Sequence, residues 1–149
     1  KALCAAADVN RSTFYAHFRN QYDLLAYIEA EALEDLKARL LADGEPRTRN
    51  VEKILEYAKE NADVFLMLLD ESEGGFQRQI MELAHLVDLQ MSDQDAAVDA
   101  DDLEYMYLFA VSGALGMLSH WLKKGTPQSP AEMSELLMSM IQHGVEERA

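Results

Sequence analysis

One run near the start of the chain holds most of the residues whose types and spacing could do chemistry: Leu3-Cys4-Ala5-Ala6-Ala7-Asp8-Val9-Asn10-Arg11-Ser12-Thr13-Phe14-Tyr15-Ala16-His17-Phe18. Phe14 and Phe18 stand at i and i+4, so on a helix they share a face. With Val9 in the preceding turn, they form an apolar stripe that clamps a short second helix onto the first. The opposite face then points outward with Arg11, Ser12, Thr13, Tyr15, Ala16 and His17, nearly all hydrogen-bonding groups. Small Ser12 and Ala16, one turn apart, let such a helix press into a groove. Hydroxyls and imidazole suit phosphate oxygens, while the Arg11 guanidinium suits the two acceptors of a guanine edge. Asn10 is a good N-cap for this helix, because its side chain can take a free backbone N–H of the first turn.

The remaining chemistry-bearing residues have plainer readings. Glu82, His85 and Asp88 fall at i, i+3 and i+6, but no second helix supplies matching ligands, so they read as a solvated edge and no metal is expected. Cys4 reads as a small buried hydrophobe. No nucleophile motif, phosphate-cradling glycine loop or paired His and Cys is present, so neither an enzyme nor a cofactor is expected. The eight methionines and several aromatics are mostly core, yet could line an adaptable cavity. Met67, Met81, Met106 and Phe109 are its expected lining, with Glu56 and Glu82 favouring a cationic or hydrogen-bonding compound.

The elements that position these residues are helices. Apolar residues recur at three and four between a few Gly and Pro positions, and no strand pattern stands out, which gives an all-α fold. A first helix spans roughly 1–7 and the short one 11–19. A long one carries Leu25, Ile28, Ala32, Leu36 and Leu40 on one stripe and ends at Asp43-Gly44-Glu45-Pro46. Further helices run over 51–59, 63–71 and 76–91, and the acidic stretch 92–102 reads as a connection. Asp99, Asp101 and Asp102 suit the positive start of the helix that follows.

That helix, 103–124, has two apolar stripes: Met106, Ala110, Gly113, Met117 and Trp121 on one, and Leu108, Val111, Leu115, Leu118 and Leu122 on the other. A helix apolar on opposite sides must be covered twice, and a second copy of the chain is the expected cover. Gly113 and Gly116 cost helix stability, which points to a close backbone approach there. Ser129-Pro130-Ala131-Glu132 is a complete capping box, and the helix it starts carries a seam of Met133, Leu137, Met140 and Gly144. Two such helices per chain make a four-helix bundle across a two-fold axis, so the expected dimer interface is Val111, Leu115, Gly116, Leu118, Leu122, Met133, Leu137 and Met140.

The 149 residues suffice for one core, and 49% apolar with 27% charged residues is a globular balance. No apolar run is long enough to span a bilayer, so a soluble protein with no membrane partner is expected. One cysteine favours a reducing, cytoplasmic setting. The net charge of −14 argues against a nucleic-acid partner, but its distribution does not. Residues 1–22 hold Lys1, Arg11 and Arg19 against Asp8 alone, a net +2, while the rest carries ten basic and 26 acidic groups. A small head facing DNA on an acidic body has this asymmetry.

The string Ala7-Asp8-Val9-Asn10-Arg11-Ser12-Thr13-Phe14-Tyr15-Ala16-His17-Phe18, followed by Asn20-Gln21-Tyr22-Asp23-Leu24-Leu25, resembles the helix-turn-helix and following helix of the tetracycline-repressor (TetR) family. The helix ending Trp121-Leu122-Lys123-Lys124-Gly125, followed by Ser129-Pro130-Ala131-Glu132, is similar to a dimerisation region in the same family. The resemblance implies that Asn10 caps the recognition helix, that Arg11, Ser12 and Ala16 read bases, and that Thr13, Tyr15 and His17 hold the DNA backbone. Two positions depart from the pattern: Asp8 stands where glycine is usual, and Tyr22 where a phosphate-binding lysine is common. The family's first helix is expected to be absent from this chain. The expected layout is a DNA-binding head with its connecting helix over residues 1–41 and a regulatory, dimerising body over 42–149. The implied partners are an operator in double-stranded DNA, a second copy of the chain and a small-molecule effector. A co-activator or adaptor that acts through a protein partner is the alternative.

Overall fold

A computed structural model describes residues 2–41, 44, 46–71, 75–91 and 100–146. Eight helices are described and, among these residues, no strand: α1 (Ala2–Ala6), α2 (Arg11–His17), α3 (Gln21–Leu40), α4 (Arg47–Glu60), α5 (Ala62–Glu71), α6 (Gly75–Met91), α7 (Ala100–Lys123) and α8 (Pro130–Glu146). The protein is all-α, with two compact units, one of residues up to Glu34 and one from Asp35 onward, and α3 contributes to both. Most ends fall within a turn of their expected positions. Helix α4 begins four residues early, immediately after Pro46, whose fixed φ of −59° suits entry to a helix. Helix α7 also begins early, so Asp101 and Asp102 lie inside its first turn, where the helix dipole favours negative charge. Residues 92–99, with Asp99, lie outside the described residues.

In the first unit, Cys4 and Ala32 are buried. The reversal between α1 and α2 is a Schellman closure: the Val9 N–H donates to the Cys4 carbonyl at 2.9 Å and the Asp8 N–H to the Ala5 carbonyl at 3.4 Å. Asn20 caps α3, accepting from the backbone N–H of Tyr22 at 2.9 Å and of Asp23 at 3.0 Å.

In the second unit α7 is flanked by α4, α5, α6 and α8. Its Trp121 is 2% exposed, and the indole N–H donates to the Gln128 carbonyl at 3.1 Å, fastening the turn before α8. Phe65 and Phe76 are fully buried and meet edge to face, 6.1 Å between centroids; Tyr57 meets Phe65 likewise at 5.5 Å. The Arg39 guanidinium lies 4.3 Å above the Tyr57 ring, a cation–π contact between the end of α3 and α4. Buried Asn50 donates to the Leu40 carbonyl at 3.4 Å, next to it. The body therefore grips the last turn of α3 at two places.

Of the expected interface residues, Leu118, Leu122, Met133 and Leu137 are buried within the chain itself, while Gly116 and Met140 are exposed. The reason is the central place of α7: with four helices around it, its own chain covers both stripes toward Trp121. Spacing by three and four does not distinguish packing within a chain from packing between chains. What stays open on α7 is Tyr105, Leu108, Phe109, Gly113 and Gly116, together with Leu136 and Met140 of α8.

Helix α8 opens on a reciprocal cap. The Ser129 N–H donates to the Glu132 carboxylate at 2.8 Å, and the Glu132 N–H to the Ser129 hydroxyl at 3.2 Å. The bond from the Ser129 backbone, then that from its side chain, holds the Glu132 carboxyl below its ordinary range. A depressed carboxylate pKa adds stability above the unfolded value, and this is lost as pH falls through the folded value. Ser129→Ala should cost about 0.5–2 kcal/mol in denaturant melts at neutral pH. An NMR titration should also find the Glu132 carboxyl of the variant moved up toward the ordinary glutamate range.

Candidate nucleic-acid interface

Helix α2 has no buried residue. Phe14 and Phe18 are half-buried with rings 5.8 Å apart, and Phe18 meets Tyr27 of α3 at 5.6 Å. The aromatic contact thus runs from the end of α2 to α3, whereas the stripe was expected to pack α2 onto α1. The Tyr27 hydroxyl donates to Glu31 at 2.6 Å, and that bond to a carboxylate raises the phenol above its usual pKa.

On the other face Arg11, Ser12, Thr13, Tyr15, Ala16 and His17 are all exposed. Asn10 sits at the N-cap in extended conformation, its side-chain oxygen accepting from the Ser12 N–H at 2.9 Å and the Ser12 hydroxyl at 2.8 Å. The hydroxyl hydrogen of Ser12 is thus engaged, and its oxygen offers lone pairs outward: the cap makes Ser12 an acceptor. The Arg11 guanidinium lies 5.9 Å from the centre of the Tyr15 ring, at the edge of cation–π range. Tyr22, at the start of α3, is 71% exposed. The unit thus presents one convex, polar helix with donors and acceptors along it. That surface can be inserted into a groove.

The body holds a cavity of about 200 Å³, partly open to solvent, walled by residues from all of α3 to α8 and entirely apolar. Leu36 and Leu40 of α3 form part of it, as do Ile80, Leu83 and Ala84 of α6 and Val111 and Leu115 of α7. The residues expected to line a pocket are not brought together. Met106 and Phe109 line an open groove of about 210 Å³ between α7 and α8. Met81 borders a different groove, with Gln77 and His120. Met67, exposed on α5, borders none of these. Glu56 and Glu82 also stand outside the cavity wall. Sequence reasoning missed the true wall because its residues are ordinary aliphatics, and the gap between them has no letter of its own.

His85 packs against Tyr107 at 5.0 Å, and the Tyr107 hydroxyl donates to the Met81 carbonyl, which ties α7 to α6. The Asp88 side chain lies outside the described residues. Among those described, no three His, Cys, Asp or Glu side chains gather where they could hold a metal ion. Nor is any described helix long and apolar enough to cross a membrane.

An all-helical chain with an exposed, capped second helix and a separate helical body is the arrangement of a helix-turn-helix regulator. The TetR family model for the transcriptional regulator C-terminal region matches residues 48–143, and the chain belongs to the TetR family of transcriptional regulators. The match lies wholly in the body, beyond the residues 3–25 in which the head resembles the same family, so two non-overlapping stretches agree. No curated protein and no solved structure gives a significant match.

The turn before α2 is built on Asp8. The residue sits in the turn at φ +52°, the left-handed region in which glycine is unstrained. A short carboxylate tolerates that conformation better than most side chains do. Asp8→Gly should stabilise the first unit by up to about 1 kcal/mol, the relief of the left-handed backbone being partly offset by a freer unfolded chain. Asp8→Val should destabilise it by more than about 1 kcal/mol, since a branched Cβ is worst there. Hydrogen exchange of the α1 and α2 amides reads both changes.

Proposed function

We propose that this regulator binds an operator in double-stranded DNA as a homodimer. The head, residues 1–41, reads the DNA, and the body, 42–149, dimerises and answers a small-molecule effector. The observation that carries the reading is α2 itself, a helix with no buried residue whose outward face is polar throughout and whose start is fixed by Asn10. Arg11, Ser12 and Ala16 are the base-reading positions, and Thr13, Tyr15, His17 and Tyr22 hold phosphates. Arg11→Ala should weaken the preferred site by about 1–3 kcal/mol and relax preference at one position, whereas Tyr15→Phe should weaken all sequences alike. Competition binding on a selected site and its single-base variants distinguishes these. Uniform loss for Arg11→Ala removes it from the base-reading set.

The open face of α7 supports the dimer. Phe109 is 80% exposed and Met140 is 55% exposed, and a Cβ added at Gly113 or Gly116 would meet nothing of its own chain, so a second backbone has room to approach. Burying each large apolar side chain there contributes about 1.5–3 kcal/mol. Gly116→Glu should place two like charges near the two-fold axis and dissociate the dimer, read by light scattering at micromolar concentration. A parent chain that is monomeric there ends the two-headed mode, in which half-sites lie about 34 Å apart. A specific feature favours an adaptor role as the second reading: Asp8 puts a negative charge on the turn beside α2. Failure to protect any DNA at physiological salt would select it.

The cavity supports effector control, because Leu36 and Leu40 in its wall belong to α3, whose first half lies in the head unit. A molecule there touches the one helix that serves both units.

A further inference from the structure

The cavity wall has a chemistry that selects its occupant. Its residues come from six helices and are Leu, Ile, Val, Ala and Phe alone, with no polar surface exposed to the interior. Leu36, Leu55, Phe65, Leu118 and Leu137 among them are buried and the others partly exposed, so the space is an apolar cleft that reaches from the core toward the surface. The only buried side-chain polar atom without a partner among the described residues, the Asn50 Oδ1, belongs to a residue outside the wall. An ionised group placed there would lose its water and find no partner, and an amide or hydroxyl would lose hydrogen bonds without replacing them. An apolar space of about 150 Å³ is large enough for benzene.

We propose that the cavity takes a small, uncharged, apolar molecule of the size of a one- or two-ring aromatic hydrocarbon. The proposal rests on the effector reading above and names the chemical class of its ligand. It replaces the cationic or hydrogen-bonding compound that Glu56 and Glu82 were expected to favour. The four residues Ala110, Ala114, Leu137 and Ile141 line both this cavity and the open groove between α7 and α8.

The test uses toluene and naphthalene as probes, with benzylamine and benzoate as charged counterparts of the same shape. On the chain as it stands, saturating toluene should raise Tm by about 2–4 °C, and the charged compounds should bind about 100-fold more weakly by calorimetry. Ala84→Leu fills the cavity and should keep the helical circular dichroism while abolishing the toluene shift; Ala114→Leu serves if the first variant does not fold. Equal binding of benzylamine or benzoate, no binding by either hydrocarbon, or an undiminished shift in the filled variant each overturns the proposal. Operator affinity measured on the same samples separates the two readings. Hydrocarbon binding that leaves DNA affinity unchanged sinks effector control but upholds the ligand class. A polar compound that changes DNA affinity while toluene does not bind upholds effector control and sinks the ligand class.

Discussion

The body depends on one constraint: α7 is apolar on too much of its circumference to be left at a surface. Trp121, Leu118 and Leu122 must leave water on different sides of the helix, and α4, α5, α6 and α8 are arranged around it to do so. Burial of such side chains supplies the main favourable term in a domain whose net stability is only a few kcal/mol. The polar contacts fix geometry more than they add energy. The Trp121 indole N–H to Gln128 sets the turn into α8, and the Lys123 ammonium, 3.4 Å from Asp70, is exposed and contributes little. At the end of α7 the backbone reverses with Gly125 at φ +78° and Thr126 at φ +54°, the latter in a conformation unusual for a branched residue. The Thr126 N–H reaches back to the Trp121 carbonyl at 2.9 Å, so the ring that anchors the core also has its own carbonyl capped.

The cavity and the packing around it have a common origin. Residues of six helices, α7 among them, wall this space, and aliphatic side chains of limited length do not fill it between Leu36, Ile80 and Val111. An empty apolar volume costs dispersion contacts that a ligand restores, so an occupant would stabilise the body by filling it. Because Leu36 and Leu40 face that space while Arg39 and the Leu40 carbonyl are held by Tyr57 and Asn50, the end of α3 has two kinds of contact at once. One can be altered by an occupant, and the other belongs to the fixed fold. That coexistence is what a helix needs if it is to respond to a bound molecule without leaving the body.

Much of this was legible in the residues, and the failures are specific. Caps were readable because they depend on local chemistry: Asn10 and the pair Ser129 and Glu132 make the expected bonds. The helices were readable because apolar spacing is a property of each segment. The partner of an apolar stripe was not, since Leu118 and Leu137 look the same in sequence whether a neighbouring helix or a neighbouring chain covers them. The exposed row of Phe109, Gly113 and Gly116 becomes visible only when the covered faces are subtracted. The choice of Met67, Met81, Met106 and Phe109 as one pocket failed for a related reason. Methionine marks adaptable packing in general: Met106 and Phe109 share the groove between α7 and α8, Met81 of α6 borders another, and Met67 of α5 borders neither.

Charge sets the terms on which a head of this kind could meet DNA. The described part of the first unit offers Arg11 and Arg19 as cations, and Arg19 is engaged with Asp23 at 3.7 Å. On the proposed reading, few phosphates are neutralised by full charges. Each such contact contributes about −0.9 to the slope of log affinity against log salt, so the salt dependence of one head is shallow. The acidic body adds no compensating attraction and opposes non-specific approach. Binding must then rest on short hydrogen bonds from hydroxyl, imidazole and backbone groups, whose worth depends on geometry rather than on charge. This makes the fixed start of α2 more consequential than any single contact: a helix held by Asn10 and the Phe14, Phe18 and Tyr27 rings presents its groups without the cost of ordering them. A head with weak general affinity and a rigid reading helix discriminates between sequences better than it adheres to any, which is the balance that a transcriptional regulator in a large excess of competing DNA requires.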